Sequence, residues 1–494
     1  MSETPVSVDD LPGARPVSTA RAGLVSMVGT VTQVVIQLVS LMVLSRLLAP
    51  ADFGLYAMAM TFIGFSALFR DMGLASAAVQ AKVLTAQARS NLFWINTGTG
   101  LLLTLVAATA APAIGVFFGE PQVATVVLLM SPTLLLAGIS VQFNASLQRG
   151  MRFVEITAVN VGGAFLGLLL STIMALAWGG IWALVVPQVI AGLVTTVALA
   201  FLAGWLPMRP RPRGGTRAML AFGGTMFGAQ VLTYLHRNFD VMLLGRLHGT
   251  VWTGHLNRAT QITRMPLSML TAPFSQIALA KMARHQDDSA LLARLMLQGQ
   301  KLQSYPLLLA AGGLLATADQ IVTVVLGEGW EPVAVFVRLV VLVETFTLLP
   351  SVAGWLLSAR GMGRWLLRLA LMSVALKIGG MLLGSLWGPY GIIAGNAAGA
   401  LLMWPLSFAV FGRVTDVAAW PLLRQSIASA AYLAAASGVA WVAGRAALPL
   451  VGAFGSIVAA GLALLTAVGT IAVVVPPLRR DLREVWAIVK SARD

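Results

Sequence analysis

The chain runs to 494 residues, of which 58% are apolar and only 10% charged, and its mean hydropathy is +0.85. So few charges cannot cover a soluble protein of that length, which means that lipid is its main solvent, and with no cysteine there is no disulfide, thiolate metal site or Cys nucleophile. A net charge of +15 would suit a nucleic-acid binder, but the cations fall in short connections between apolar runs, where they report topology and give no reason to expect nucleic acid.

In chain order, residues 1–20 are polar, carry Pro5, Pro12 and Pro16 and have no apolar core of signal-peptide type, so a cytoplasmic N-terminal tail is expected. Apolar runs of about 20 residues, the length a helix needs to cross a bilayer, then recur. They predict spans near 24–45, 53–79, 91–118, 122–145, 154–177, 181–206, 218–245, 252–280, 295–318, 332–358, 365–386, 390–412, 420–444 and 449–475. The expected fold class is an all-α membrane protein of about 14 transmembrane helices. Connections carrying Lys82 and Arg89, Arg149 and Arg152, Arg209 to Arg217, Lys281 and Arg284, Arg360 and Arg364, and Arg413 alternate with connections carrying Glu120, Asp319, Glu328 and Glu331, where Arg46, Arg246 and Arg445 are minority cations. That asymmetry puts both termini in the cytoplasm. In the tail 477–494, Leu478, Leu482, Val485 and Val489 share one helical face while Arg479, Arg480, Arg483 and Lys490 point elsewhere, which fits either an amphipathic helix on anionic headgroups or a solvated helix.

The chain also repeats itself. Leu44, Arg46 and Leu47, followed by Gly54 and Ala59, recur at constant offset as Leu244, Arg246, Leu247, Gly254 and Ala259. Three more matches keep the same order: Gly119 and Glu120 with Gly327 and Glu328, Arg149 to Met151 with Arg360 to Met362, and Trp178 and Gly179 with Trp387 and Gly388. They divide the chain into an N-lobe of six helices over 21–207, a basic linker over 208–217, a C-lobe of six helices over 218–413 and a helix pair over 414–476. Six is even, so both lobes enter the membrane from the same side, as in parallel-repeat transporters that rock about a midplane site.

Polar residues inside the spans point to where such a site would lie. In the first span Ser26, Thr30, Gln33, Gln37 and Ser40 form one stripe at helical spacing, and the matching span of the second half places Gln230, Thr233, Arg237 and Asp240 in register with it. Interhelical hydrogen bonding is one reading of such stripes and a wet cavity is the other, which the ionisable Arg237 and Asp240 favour because a charge at depth is costly unless paired or hydrated. Further cations lie nearby in sequence: Arg70 beside Asp71 in the second span, and Arg258 and Arg264 flanking Gln261 in its counterpart, with no carboxylate on their own helix. Guanidinium groups in a wet cavity suit an anionic headgroup, although Arg70 and Arg264 could instead snorkel to the surface. Arg338, Glu344 and Lys377 share no stripe and are expected in structural ion pairs. Gly98, Gly100, Gly391, Gly395 and Gly399 are expected to serve close helix packing, and Trp94, Trp178, Trp205, Trp252, Trp330, Trp387 and Trp420 an interfacial belt. No P-loop, Ser elbow, HExxH or paired extramembrane carboxylates are present, so no enzyme chemistry and no metal is expected.

Three stretches carry a family likeness: Leu44 to Tyr56, Asn238 and Asp240 through Gly245 to Arg258 and Ala259, and Gly327 to Trp330 with Pro332. They resemble the polysaccharide-exporter (Wzx-type) branch of the multidrug/oligosaccharidyl-lipid/polysaccharide (MOP) flippase superfamily. The resemblance implies two six-helix lobes around a cationic cavity with two further helices. It also implies a substrate, undecaprenyl-pyrophosphate carrying a short oligosaccharide, moved to the periplasmic leaflet of a bacterial inner membrane. On that reading Arg258, Arg264, Arg237 and Arg70 attract the pyrophosphate, while Gln33, Gln37, Thr30, Gln230, Gln261 and Asn238 meet sugar hydroxyls. Asp71 and Asp240 are the candidates for H+ or Na+ coupling, no other cofactor is expected, and membrane lipids, a polysaccharide polymerase and export machinery are the expected partners. His255 and Asn257 depart from the aromatic residues common in the family there. Other readings are an ion-coupled small-molecule exporter, which would want cavity carboxylates, a membrane-embedded glycan polymerase, which needs a large periplasmic loop, and a scaffold.

Overall fold

The structure is a computed structural model that describes residues 5–6, 19–71, 84–210, 217–285 and 288–491, with side chains described over 24–67, 85–210, 234–270, 281–285 and 288–487. Helices make up almost all of it: α1 (Thr19–Leu47), α2 (Pro50–Asp71), α3 (Ala86–Phe118), α4 (Pro121–Met130), α5 (Pro132–Arg149), α6 (Phe153–Ala177), α7 (Trp182–Ala203) and α8 (Arg217–Ala283). They continue as α9 (Ser289–Ala316), α10 (Ala318–Val325), α11 (Glu331–Leu348), α12 (Ser351–Ala359), α13 (Gly363–Gly384), α14 (Gly388–Val414), α15 (Ala419–Val474) and α16 (Pro476–Ser491). Among the described residues the strand content is one two-residue ladder, Pro5–Val6 against Leu84–Thr85. The all-α class expected from hydropathy is therefore observed. Eight helical stretches among the described residues have the length and apolarity to cross a membrane, or nine if α9 and α10, bent by 75°, make one broken span. Two of the long helices turn at a glycine in the left-handed region: α8 at Gly249, φ 78°, and α15 at Gly452, φ 67°. The first falls in the gap expected between the spans 218–245 and 252–280.

The chain forms two compact units, Met1–Gly254 and His255–Asp494, which meet in sequence within α8. In the first unit, α3 packs on α4 and α5, and α6 packs on α1 and α7. Met58, Phe118, Val123, Val127, Met130 and Leu134 fill the core between them. Lipid tails are as apolar as these side chains, so close packing, not transfer out of water, holds such helices together. The early part of α8 is tied to α2 by Tyr234, whose hydroxyl donates to the carbonyls of Met60 (3.3 Å) and Thr61 (3.1 Å). Farther along, Gly54 and Gly254, which are repeat equivalents, bring the two backbones together: a Cβ on Gly54 would stand 1.8 Å from the Thr250 carbonyl oxygen, and one on Gly254 would stand 1.8 Å from that of Pro50.

The matched turns of the repeat have a backbone cause. Gly119 and Gly327 both follow a helix C-terminus with positive φ, as do Gly179 and Gly388. At the third pair the left-handed residue after the C-cap is Gly361 in one half but Met151, φ 54°, in the other. Left-handed backbone costs a residue with a Cβ about 1–2 kcal/mol. Met151→Gly is therefore expected to raise the stability of the detergent-solubilised protein by roughly 0.5–1 kcal/mol after allowing for the freer unfolded glycine. An unchanged or lower melting temperature would count against strain at this turn.

In the second unit, α13 and α14 cross on glycines, with Gly380 and Gly384 facing Gly391 and Gly395, and Gly399 set against the Lys377 backbone. This is the packing role expected of Gly391, Gly395 and Gly399; Gly100 likewise abuts Leu134 and Gly138, whereas Gly98 faces open space. Helices α11 and α12 are one rod broken at Pro350, whose missing N–H interrupts the ladder. Gln303 of α9 repairs the break, donating to the freed Leu348 carbonyl at 3.0 Å and to the Ser351 hydroxyl at 2.9 Å.

The tail helix α16 corrects an expectation. Its apolar face is taken up by protein, not by headgroups or solvent: Leu478 is buried and Leu482 and Val485 pack on the same cluster. Lys301 of α9 binds Asp481 (2.7 Å) and Glu484 (2.6 Å), and the Tyr305 hydroxyl donates to Asp481 at 2.8 Å. Arg479, Arg480, Arg483 and Trp486 are left on the exposed side, while Val489 and Lys490 lie outside the described side chains. Trp330 corrects another, being buried among protein groups, while Trp178, Trp387 and Trp420 are exposed as a belt requires.

Where three connections meet, Arg360 and Ser289 both hydrogen-bond the Asp416 carboxylate. The guanidinium first, and the hydroxyl second, hold that carboxyl well below the usual carboxylate range. A depressed folded pKa stabilises above the ordinary carboxylate value and is lost as pH falls through the depressed one. Asp416 is half exposed, so the contribution is below about 1 kcal/mol. Melting at pH 7 and at pH 3 should differ more in the wild type than in Asp416→Asn; equal differences would remove this node as a source of acid sensitivity.

Candidate functional site

The second half of α8 carries a row of polar side chains in the second unit. Asn257, Arg258, Gln261 and Arg264 follow at spacings that keep them on one side of the helix. They are linked in sequence: the buried Arg258 donates through Nη1 to Gln261 Oε1 at 2.7 Å, and Gln261 donates through Nε2 to Asn257 Oδ1 at 2.9 Å. This chain of bonds fixes the rotamer of a guanidinium that is only 4% exposed. His255, at the start of the row, sits edge-on to Trp330 with ring centroids 5.9 Å apart.

Arg264 differs from what the sequence suggested. Its Nε donates to Glu344 Oε1 of α11 at 2.7 Å, so the carboxylate that its own helix lacks arrives from another. Glu344, expected in a purely structural pair, thereby joins the candidate site. One turn on, the Thr347 hydroxyl accepts from Lys377 Nζ at 2.7 Å, and Ser351 beyond the Pro350 break exchanges hydrogen bonds with Gln303. Glu344, Thr347 and Ser351 thus form a polar stripe on the α11–α12 rod that receives Arg264, Lys377 and Gln303 from three other helices. Arg338, the remaining intramembrane cation of that group, pairs with Asp319 at 2.6 Å and stands apart from the stripe.

In the first unit, α1 has two exposed faces. Leu24, Met27, Val31 and Val35 occupy one, and the stripe of Thr30, Gln33 and Gln37 lies on the other, with Thr30 and Gln37 exposed and Gln33 half-buried. Thr30 spends its hydroxyl proton on the Ser26 carbonyl at 2.9 Å. Along α8, Arg237 is exposed, Asn238 donates to the Tyr234 carbonyl at 2.9 Å, and the Asp240 carboxylate, 3% exposed, accepts the Val241 N–H at 2.8 Å. Arg70, Asp71 and Gln230 lie outside the described side chains. Among the described residues there is no group of His, Asp and Glu that could hold a metal.

Against this geometry the chain can be set beside known proteins. Residues 43–335, more than half of the chain, match the model of the polysaccharide biosynthesis protein family. The chain belongs to that family. All three stretches that carried the resemblance fall within the match. Among its relatives, this family member is 25% identical over 304 residues to the teichuronic acid biosynthesis protein TuaB of Bacillus subtilis, covering 60% of the chain and 62% of TuaB. It is 24% identical over 348 residues to the lipopolysaccharide biosynthesis protein WzxC of Escherichia coli, covering 68% of each. It is 23% identical over 296 residues to the succinoglycan biosynthesis transport protein ExoT of Rhizobium meliloti, covering 60% of each. The fold is similar to that of the lipid II flippase MurJ in an inward closed conformation, with a TM-score of 0.69 at 12% identity over 90% of this chain and 98% of that one. A multidrug resistance MATE transporter of the MOP superfamily gives 0.58 at 14% identity over 80% and 96%. The MOP-type fold expected from the sequence is therefore present.

Proposed function

We propose that the chain is a flippase that moves undecaprenyl-pyrophosphate-linked oligosaccharide from the cytoplasmic to the periplasmic leaflet of a bacterial inner membrane, by alternating access and without chemical change to its cargo. The observation that carries this reading is the α8 row, in which Arg258 and Arg264 are presented from one helix and each is oriented by a hydrogen-bonded partner. Planar guanidinium forks match phosphate oxygens, and in low-dielectric surroundings they bind them more strongly than in water. The names of the relatives point to no single sugar, because teichuronic acid, lipopolysaccharide and succinoglycan are different polymers. Asp240 is the residue that we assign to ion coupling, as a buried carboxylate in the first unit. A small-molecule exporter would be served by cavity carboxylates, whereas here the α8 row presents cations.

Deleting the gene and locating the lipid-linked oligosaccharide tests the reading. Accumulation in the cytoplasmic leaflet is the expected result; accumulation of unpolymerised units in the periplasmic leaflet would instead indicate a polymerase.

A further inference from the structure

The tail helix α16 sorts its charges between two faces. Leu478, Asp481, Leu482 and Val485 recur at helical spacing on the inner face, where Lys301 of α9 binds the carboxylates of Asp481 and Glu484. Arg479, Arg483 and Trp486 recur at the same spacing on the outer face, with Arg480 beside them, and all four are exposed. Among the described residues no ion pair joins any of these three arginines to a carboxylate. The helix therefore turns its acids toward the protein and its bases outward.

Where α16 lies follows from its neighbours. Helix α15, long and apolar enough to span a membrane, ends with Val473 and Val474 exposed, a surface that suits lipid. Val475 is extended, and Pro476, with no N–H to give to the preceding turn, opens α16. Leu478 packs in one cluster with Met282, Phe411 and Val417, which border the connections after α8 and α14. Charge at this end of the unit is unbalanced: Arg284 and Arg413 are exposed, whereas Asp416 is bound by Arg360 and Asp288 caps α9.

Two features select the partner. Each cation beside an anionic leaflet contributes about fivefold in surface affinity, so three arginines together give about a hundredfold. Arginines alone would suit an acidic protein equally well. Trp486, 69% exposed, decides for the bilayer, because a large ring with one polar edge is favoured at headgroup depth over bulk water.

We propose that the outer face of α16 binds anionic phospholipid headgroups, with Arg479, Arg480 and Arg483 on the phosphates and Trp486 at headgroup depth. The apolar face takes no part in this contact and stays packed on protein. What attaches α16 to the bilayer is charge, and the attachment is accordingly sensitive to salt.

The chain has no cysteine, so Ala487→Cys on the exposed side of α16 supplies a single site for an environment-sensitive nitrobenzoxadiazole label. The labelled full-length chain is placed in phosphatidylcholine nanodiscs containing increasing fractions of phosphatidylglycerol. Emission should shift to the blue as phosphatidylglycerol is added, and 1 M salt should reverse the shift, since it shortens the screening length to about 3 Å. Replacing all three arginines by glutamine should raise the phosphatidylglycerol fraction needed at least tenfold, while replacing them by lysine should keep most of the response. The salt reversal carries the test on the unaltered arginines if the glutamine variant fails to fold. An emission independent of phosphatidylglycerol, a shift that survives salt, or an unchanged response in the glutamine variant would overturn the proposal. So would an equal shift on adding polyglutamate to neutral nanodiscs, which would assign the face to an acidic protein. None of these outcomes bears on the cargo, so the flippase reading stands or falls separately.

Discussion

Replacing Arg258 with alanine is expected to lower polysaccharide export by about a hundredfold or more, with the protein still inserted in the membrane. The size follows from the setting of the side chain. A guanidinium 4% exposed is oriented by Gln261, and truncating one partner of a buried charge contact costs about 2–5 kcal/mol, where each 1.4 kcal/mol is tenfold. Arg258→Lys should recover part of the loss only, since an ammonium keeps the charge but not the planar fork. Arg264→Ala should also impair export, but by less, because that side chain is 33% exposed and its charge is less deeply buried. Complementation of a deletion strain, with membrane protein levels as control, reads both effects. Normal export in Arg258→Ala and Arg264→Ala would remove the α8 row from the site.

The contrast between those two arginines shows what could be read from sequence. Periodicity on one helix found the row Asn257, Arg258, Gln261 and Arg264, because residues at spacings of three and four share a face whatever lies around them. The same local logic found the break near Gly249 and the packing glycines of α14, since a left-handed turn and a close backbone approach both demand the residue itself. Glu344 is expected in an ion pair and is found in one, but its partner Arg264 stands 80 residues away and no local spacing announces it. Lys377 and Thr347 meet only because glycines let α13 and α14 approach closely and α11 packs beside α14. The tail helix failed for the same reason: its amphipathic pattern is genuine, but whether lipid, water or protein covers the apolar face depended on Lys301 and Tyr305 of α9.

The second large effect is expected at Gly254. A methyl group there would lie 1.8 Å from the Pro50 carbonyl oxygen and 2.7 Å from its carbon, and the atoms in the way are backbone that no rotamer change can move. Overpacking a well-packed contact costs about 1–3 kcal/mol, and the upper end is expected when helices must separate bodily. Gly254→Ala should therefore melt several degrees below the wild type in detergent, and Gly254→Val lower still. The repeat sharpens the test, because Gly54 makes the reciprocal approach to the Thr250 carbonyl. One substitution separates the helices for both contacts, so the double variant Gly54→Ala with Gly254→Ala should be hardly less stable than either single one, which is the non-additivity expected of coupled neighbours. Gly98→Ala serves as the control: nothing lies within 4 Å of its Cβ position, and an alanine inside α3 should be neutral or stabilising by about 0.5–1 kcal/mol. Wild-type melting in Gly254→Ala would show that α2 and α8 do not meet in this way, and full additivity in the double variant would show that the two glycines do not report one contact.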